Sequence, residues 1–341
     1  MRLAGKILKW LGFGLLGLLV GGAIYQQIGI ALDSKLAPPA SEMVRVNGRA
    51  VHLVCMGEGP KTLVLDAGAG AGTFEWWRLQ PLLAKAGRVC AFDRPGLGWS
   101  DPSGDAHDGL TAADELAALV HAAKIPTPFI YVGHSLGANF AMIYYARHPQ
   151  DLSALVLIEP GDPKDLLEDF HGTRTEAFAA SDCGATCYAV GAATHLGVTR
   201  LAARIMITGH QLLAGRALSE YRAGLGRPSS TMAMAASLKA LPKTAYEDLD
   251  VHSFGDTPVL TVASSEPRQP EGKETIADVK QWRIGQLAYL ASLAGMSTHG
   301  KGPIIIPDSS HSSMVMGEHQ AETMAEEIIG FVSDLPMPTG P

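Results

Sequence analysis

The segment 129–146 constrains the fold of this chain more than any other. It joins an apolar strand pattern, a Gly-x-Ser-x-Gly turn and an apolar run of helical composition. A serine at such a strand-to-helix turn is held on a tight backbone corner with its hydroxyl exposed. Gly133 and Gly137 remove side chains where strand and helix must approach closely. The segment therefore predicts a nucleophilic Ser135 at a helix N-terminus, where free N–H groups can stabilise negative charge.

Continuous apolar runs alternate with helical segments on both sides of this turn, which is typical of buried parallel strands separated by crossover helices. The pattern predicts an α/β fold, with a mostly parallel twisted sheet and helices on both faces. Between 161 and 252 the strand runs disappear, and alanine, leucine and methionine recur at helical spacing. We therefore expect a core formed by 44–160 and 253–335, with 161–252 inserted as a helical cap.

The N-terminus predicts a membrane anchor or a signal sequence over residues 1–32. Arg2, Lys6 and Lys9 precede an apolar stretch, and a linker over 33–43 follows it. No small-x-small cleavage site is evident, so we favour an uncleaved anchor over a secreted, cleaved form. Positive charge before the span predicts a cytoplasmic N-terminus and a periplasmic or extracellular catalytic domain.

Charge and cysteine usage exclude several classes of partner. The net charge is −7 and no long basic run occurs, which argues against a nucleic-acid partner. No cysteine–histidine spacing resembles a zinc site, and no metal or cofactor is expected. Cys183 and Cys187 flank a short loop where a disulfide is plausible outside the cytoplasm, with two free thiols as the alternative. Cys55 and Cys90 lie in apolar strand runs and are interpreted as core residues.

The order of these features resembles the α/β-hydrolase fold superfamily over residues 44–335. The matching pieces are a glycine-rich turn at 66–72, the loop 93–100, the Ser135 turn, the cap and a late histidine. Asp66-Ala67-Gly68 stands where many relatives have His-Gly. That departure leaves the backbone role intact and changes the hydrogen bonds around it.

The resemblance implies a catalytic set. The base comes from the loop after the last strand, which makes it His311. The resemblance does not fix the acid, because relatives supply it from either of two strands; we favour Glu159, at the end of the strand after the Ser135 helix. Glu266, after the strand that follows the cap, is the alternative, and Asp162 is a third candidate. His134 is expected to be structural, because neighbouring residues of a strand point to opposite faces.

The oxyanion donors implied by the resemblance are the backbone N–H groups of Leu136 and Ala69. A phosphate cradle is the competing interpretation of the glycine-rich turn at 66–72. It is disfavoured, because the turn lacks the lysine and the Ser/Thr of a P-loop.

The resemblance implies a serine hydrolase that cleaves a moderately apolar small-molecule carboxylic ester through an acyl-enzyme. C–C bond hydrolysis, amide or peptide hydrolysis and acyl transfer are the alternatives within the fold. A non-catalytic binding or signalling module is the alternative from another class. Haloalkane and epoxide enzymes are disfavoured, because those relatives use an aspartate where this chain has Ser135.

Overall fold

The computed structural model describes residues 2–36, 39, 42–168, 174–179, 184–206, 212–270, 272 and 274–337. Its strands form one eight-stranded sheet in the order β1-β2-β4-β3-β5-β6-β7-β8. The first two pairings, β1 with β2 and β2 with β4, are antiparallel, and all the others are parallel. The predicted α/β class is thereby confirmed. The strands are β1 Glu42–Val46, β2 Arg49–Met56, β3 Thr62–Asp66, β4 Arg88–Phe92, β5 Phe129–His134, β6 Leu152–Ile158, β7 Val259–Ser264 and β8 Gly300–Ile306.

Helices cover both faces of the sheet. The helices that precede the cap segment are the N-terminal α1 Arg2–Leu36 and, in the core, α2 Leu79–Leu83, α3 Gly109–Ala122 and α4 Leu136–Arg147. Those of the cap segment are α5 Pro163–Glu168, α6 Arg174–Ala179, α7 Gly184–His195, α8 Val198–Met206, α9 Gly215–Leu225, α10 Pro228–Lys239 and α11 Leu241–Leu249. The last three are α12 Ile276–Gly295, α13 Ser313–Met316 and α14 Glu318–Asp334.

Local side-chain and backbone choices set where two of the core helices begin. The Asp108 carboxylate caps α3 and accepts the Thr111 N–H at 2.9 Å. A 3-10 turn at Thr73–Trp76 precedes the short α2. Pro81 is tolerated at an early helical position, where its missing N–H has no partner to lose.

The core consists of two apolar layers, one on each side of the sheet. Val64, Tyr131 and Leu155 face α3, α4 and α12, whereas Leu65 and Val132 face α2 and α14. Successive residues of β3 and β5 thus alternate between faces, as the two-residue strand period requires. This rigid frame holds the carboxyl ends of β3, β5 and β6 side by side, and the candidate site residues lie there.

The cap segment contacts the loops at these carboxyl ends. A Cβ at Gly96 would lie 2.8 Å from the Cβ of Ala233, and one at Gly70 would lie 2.7 Å from the sulfur of Met234. Both partners belong to α10, so this helix covers the glycine-rich turn and the loop after β4. The division of the chain at 160 and 253 stays a prediction.

The cysteine predictions have different outcomes. Cys90 is fully buried and Cys55 packs against the same apolar layer, which confirms their interpretation as core residues; the disulfide between them was not predicted. They are directly opposed in the antiparallel β2–β4 pair, where side chains come within bonding reach. The predicted Cys183–Cys187 pairing lies outside the described residues.

Candidate active site

Ser135 occupies the strained corner between β5 and α4. Its backbone has φ 54° and ψ −124°, which a residue with a side chain rarely adopts. A Cβ at Gly133 would lie 2.4 Å from the Gly137 carbonyl oxygen, and one at Gly137 would lie 2.3 Å from the Asp66 carbonyl oxygen. Only glycine fits at either position, so the two glycines permit the approach that places Ser135 at the start of α4.

Glu159 and His311 lie together, 152 residues apart in the chain. His311 Nδ1 is 2.7 Å from Glu159 Oε2. Glu159 follows β6 directly with φ 48° and is 3% exposed, whereas the His311 side chain is 48% exposed. The geometry is that of a buried carboxylate that holds an accessible imidazole by one nitrogen, which leaves Nε2 for a substrate or a nucleophile.

The second oxygen of Glu159 is held from another direction. Oε1 accepts the Ser264 N–H at 2.9 Å, the Ser264 hydroxyl at 2.8 Å and an Arg283 N–H at 2.9 Å. The Arg283 side chain, on α12, also donates to the Ser264 carbonyl and to Gln286. Because each carboxylate oxygen has its own partners, Glu159 cannot rotate away from His311 without the loss of several hydrogen bonds.

The Glu159 carboxylate stays ionised in spite of its burial. Burial alone would raise its pKa, but the hydrogen bond and charge of His311, together with the Ser264 donors, lower the pKa to about 2. The negative charge is therefore present throughout the range in which a histidine changes charge.

This shift predicts a pH-dependent contribution of Glu159 to stability. A carboxyl group with a depressed pKa stabilises the folded state above its unfolded pKa, and this contribution is lost as the pH falls from 4.5 to about 2. We expect the difference in the free energy of unfolding between wild type and Glu159→Gln to narrow by about 3 kcal/mol over that range. Urea titrations at each pH measure it, with Glu266→Gln as the control for loss of one charge. A difference that stays constant or widens would contradict the assignment of the ion pair.

The other two candidate acids lie elsewhere. Glu266 is exposed, and its backbone N–H donates to the Ser309 carbonyl at 2.8 Å. Asp162 caps the start of α5, where it accepts the Lys164 N–H at 2.9 Å. Of the three carboxylates, only Glu159 makes a hydrogen bond to His311 among the described residues.

The predicted oxyanion donors flank Ser135. Leu136 is the first residue of α4, and Ala69 belongs to the turn after β3. A Cβ at Gly68 would lie 3.4 Å from the Ser135 Cβ, so this turn packs against the serine. Within the described part of the chain, neither the Ala69 nor the Leu136 N–H donates to a protein acceptor. Both are therefore available to a ligand.

The turn that contains Ala69 is held by Arg94. The guanidinium pairs with Asp66 and donates to the carbonyl groups of Ala67 and Gly68, each at 2.6 Å. Tyr131 also donates its hydroxyl to Asp66 at 2.8 Å. These contacts account for Asp66-Ala67-Gly68 in this chain, because the buried carboxylate anchors an arginine that fixes the turn.

A second carboxylate–histidine pair lies behind the first, and the sequence did not reveal it. His134 Nδ1 is 2.9 Å from Glu75 Oε1, and Nε2 is 3.0 Å from the His311 carbonyl oxygen. The rings of His134 and His311 are 4.6 Å apart between centroids. His134 is therefore structural, as expected, but its side chain lies against the His311 loop, because Ser135 leaves the strand geometry from which the opposite direction was inferred.

The charges of this second pair follow from its contacts. Burial would lower the pKa of His134, but the Glu75 charge raises it; burial would raise the pKa of Glu75, but the His134 charge lowers it. Both ring nitrogens face acceptors, so both must donate, which requires the imidazolium. Glu75 also accepts the Gly68 N–H at 2.8 Å through Oε2. It thus joins the turn containing Ala69 to the His311 loop.

The structure describes no site that could hold a metal ion. Among the residues it describes, no group of three or more histidine, cysteine, aspartate or glutamate side chains is arranged as ligands. Among the described residues at the site, Glu159 is instead paired with His311 and Glu75 with His134. The N–H groups of Ala69 and Leu136 make no hydrogen bond to a described protein acceptor.

Comparison with known proteins identifies the family. A family model for the alpha/beta hydrolase fold matches residues 61–266, more than half of the chain. The chain belongs to the α/β-hydrolase fold family. This confirms the resemblance drawn from the sequence, and the matched range includes Ser135 and Glu159.

The relatives of this α/β-hydrolase are distant. An uncharacterized Schizosaccharomyces pombe protein is 27% identical over 167 residues, which is 40% of this chain and 31% of that protein. A Pseudomonas putida 2-hydroxy-6-oxononadienedioate/2-hydroxy-6-oxononatrienedioate hydrolase is 31% identical over 119 residues, covering 33% of this chain and 40% of that protein. The chain thus spans less than half the length of either curated relative.

Solved structures show the same fold at low identity. A thermophilic esterase from Thermogutta terrifontis superimposes with a TM-score of 0.59 at 16% identity, covering 85% of this chain and 97% of the esterase. At this identity the likeness concerns the fold alone.

Proposed function

We propose that this α/β-hydrolase is a serine hydrolase that cleaves a carboxylic ester. Ser135 Oγ attacks the acyl carbonyl while His311 Nε2 takes its proton, and Glu159 orients and stabilises the imidazolium that forms. The alcohol leaves with that proton. Water, activated by His311, then attacks the acyl-enzyme and releases the acid. The observation that supports this most is the 2.7 Å contact between Glu159 and His311, beside the strained turn of Ser135.

The N–H groups of Ala69 and Leu136 supply the transition-state stabilisation in this proposal. Negative charge develops on the substrate oxygen when the tetrahedral intermediate forms, and two preorganised donors stabilise it more than they stabilise the ground-state carbonyl. The Arg94 contacts that fix this turn make the donors rigid. Every step uses only side chains, backbone groups and water, so no cofactor takes part.

The substrate we propose is an ester with a moderately apolar acyl or alcohol part. A small cavity of about 40 Å³ with a mostly apolar lining lies above the glycine-rich turn and would take only the end of such a group. It is bordered by Gly70, Phe74, Tyr221, Leu225 and Met234, among others. A small apolar group in this cavity would lie close to the turn that contains Ala69.

A C–C bond hydrolase is the second candidate. The Pseudomonas putida relative, whose name describes such a hydrolase, favours it over part of the chain. The same nucleophile, base and oxyanion donors serve either reaction, so the geometry of these groups does not discriminate between them. Amide or peptide hydrolysis and acyl transfer remain variants of the same acyl chemistry.

For location, we propose that α1 is an uncleaved membrane anchor and that the rest of the chain lies outside the cytoplasm. The helix Gly5–Lys35 is long and apolar enough to cross a membrane, and it contains an 18-residue window with a mean hydropathy of 1.9. The Cys55–Cys90 disulfide supports an oxidising compartment, because such bonds are rare in the cytosol.

The test is labelling of the full chain with a fluorophosphonate probe. We expect stoichiometric modification of Ser135, located by peptide mass, and no modification of the Ser135→Ala control. A panel of p-nitrophenyl esters of graded chain length, beside a vinylogous 1,5-diketone, then separates ester from C–C hydrolysis. Folded protein that leaves the probe unreacted would favour a non-catalytic binding module. Turnover of the diketone alone would favour the second candidate.

A further inference from the structure

The C-terminal third of α1 is packed into the cap through a buried polar cluster. Gln26 is completely buried, and its amide donates to the Gly226 carbonyl at 2.5 Å. Arg200 of α8 donates to the Gln26 side-chain oxygen at 3.0 Å and to the Gly226 carbonyl at 3.2 Å. An amide without hydrogen-bond partners in the middle of an apolar helix is costly in lipid. Here the protein satisfies both the amide nitrogen and the amide oxygen of Gln26 with hydrogen bonds.

An ion pair completes this cluster. Arg200 binds Asp33 of α1 at 2.6 Å, with side-chain exposures of 4% and 17%. A buried arginine requires a counter-charge. Asp33 supplies it from α1, the helix proposed above as the membrane anchor. The cap therefore depends on α1 to satisfy one of its own buried charges.

Glycines permit the close approach of α1 to the cap. A Cβ at Gly22 would lie 2.6 Å from the Leu196 carbonyl oxygen, and one at Gly29 would lie 2.4 Å from Arg200 Nε. Gly197, with φ 74°, faces Tyr25 in the same way at 2.6 Å. The contact thus runs continuously from Gly22 to Asp33.

The rest of α1 is bare and has the length of a membrane span. Residues 5–21 are exposed on the protein. The exposed helix of residues 5–21 is about 26 Å long at about 1.5 Å per residue, close to the lower limit of about 17 residues for a span. Lys6 and Lys9 lie in its first turns, from which long side chains reach the interface. The span therefore ends where the cap contact begins, and no free linker separates the two.

We propose that α1 holds the cap directly against the outer surface of the bilayer, and that the partner of this cap surface is the lipid itself. The apolar side chains Val198 and Leu201 of α8 are 54% and 53% exposed beside the end of the span, and they enter the interface. The proposal rests on the membrane anchor proposed above, but not on the chemistry of Ser135.

The test measures lipid contact at α8 in the full chain. A fluorophore is attached at Val198→Cys in a Ser135→Ala, Cys183→Ser, Cys187→Ser background, and the protein is placed in phosphatidylcholine vesicles with a headgroup-level doxyl quencher. Ala291→Cys, exposed on α12, which packs on β7 and β8 outside the cap, is the matched control. We expect several-fold stronger quenching at 198 than at 291. Equal quenching at the two sites, or a mature protein whose mass lacks α1, would overturn the proposal.

Two arginine variants then test whether the buried polar cluster of Gln26, Asp33 and Arg200 holds the cap against α1. Arg200→Ala is expected to abolish the difference in quenching between positions 198 and 291. Arg216→Ala removes a cap arginine paired with Glu220 on α9 and is expected to preserve the difference. Gln26→Ala, which leaves the cap sequence intact, should act like Arg200→Ala if the latter does not fold. If the difference persists in folded Gln26→Ala and Arg200→Ala proteins, the cluster does not hold the cap. Because Ser135 is absent throughout, none of these results depends on hydrolysis.

Discussion

Replacing Glu159 by glutamine is expected to lower kcat on a p-nitrophenyl ester by about 10³- to 10⁴-fold, with little change in KM. Glutamine keeps the shape of the side chain but removes the charge that stabilises the His311 imidazolium. Its amide can also present a donor to Nδ1, which favours the tautomer in which Nε2 already bears a proton and cannot act as a base. Steady-state kinetics over a range of ester concentrations measures both effects.

The control for this prediction is Glu266→Gln, and Asp162→Asn is a second. Glu266 is exposed and Asp162 caps α5, so both variants should retain nearly the full kcat. If Glu266→Gln abolished turnover while Glu159→Gln remained active, the acid would be Glu266. The 2.7 Å contact with His311 would then be structural.

Local pattern was sufficient to predict the sheet, the Ser135 turn and the family. Apolar runs and the flanks of the Gly-x-Ser-x-Gly segment are properties of consecutive residues. The sheet and the family that they predict are both confirmed. His311 was proposed from its place after the last strand. The choice among Glu159, Glu266 and Asp162 stayed open in the sequence, because each follows a strand and the partners of Glu159 are distant. Arg283, for example, is 124 residues away in the chain.

The features that the sequence missed all depend on which elements become neighbours. Cys55 and Cys90 are opposed because β2 pairs with β4 and not with β3, an order that no local pattern encodes. Gln26 is a polar residue within an apolar helix, and its partners on the cap lie 174 and 200 residues away in the chain. Glu75 lies in a short 3-10 turn with no motif around it, and only the fold brings it to His134.

The second large effect is expected for Glu75→Gln, which should lower kcat by about 10²-fold, the loss typical of a displacement of about 1 Å in a catalytic group. Without the Glu75 charge, burial favours neutral His134, whose Nδ1 accepts from the glutamine amide while its Nε2–H still donates to the His311 carbonyl. The bond to the His311 carbonyl then loses the positive charge that strengthened it. The bond from Gly68 N–H to a carboxylate is weakened as well. The base and the oxyanion turn are thus displaced together, while KM changes little.

A double-mutant cycle separates positioning from general destabilisation. If Glu75 and His134 act as one unit, the Glu75→Gln, His134→Gln double variant should lose no more kcat than the worse single variant. Glu115→Gln is the matched control, because Glu115, on α3 and outside the site, is a partly buried carboxyl group paired with Arg49 of β2. It should change the unfolding midpoint without a change in kcat. Additive losses in the double variant, or an unchanged kcat in folded Glu75→Gln, would show that the pair only supports the fold. A non-additive loss would mean that the position of His311 depends on a charge one layer below it.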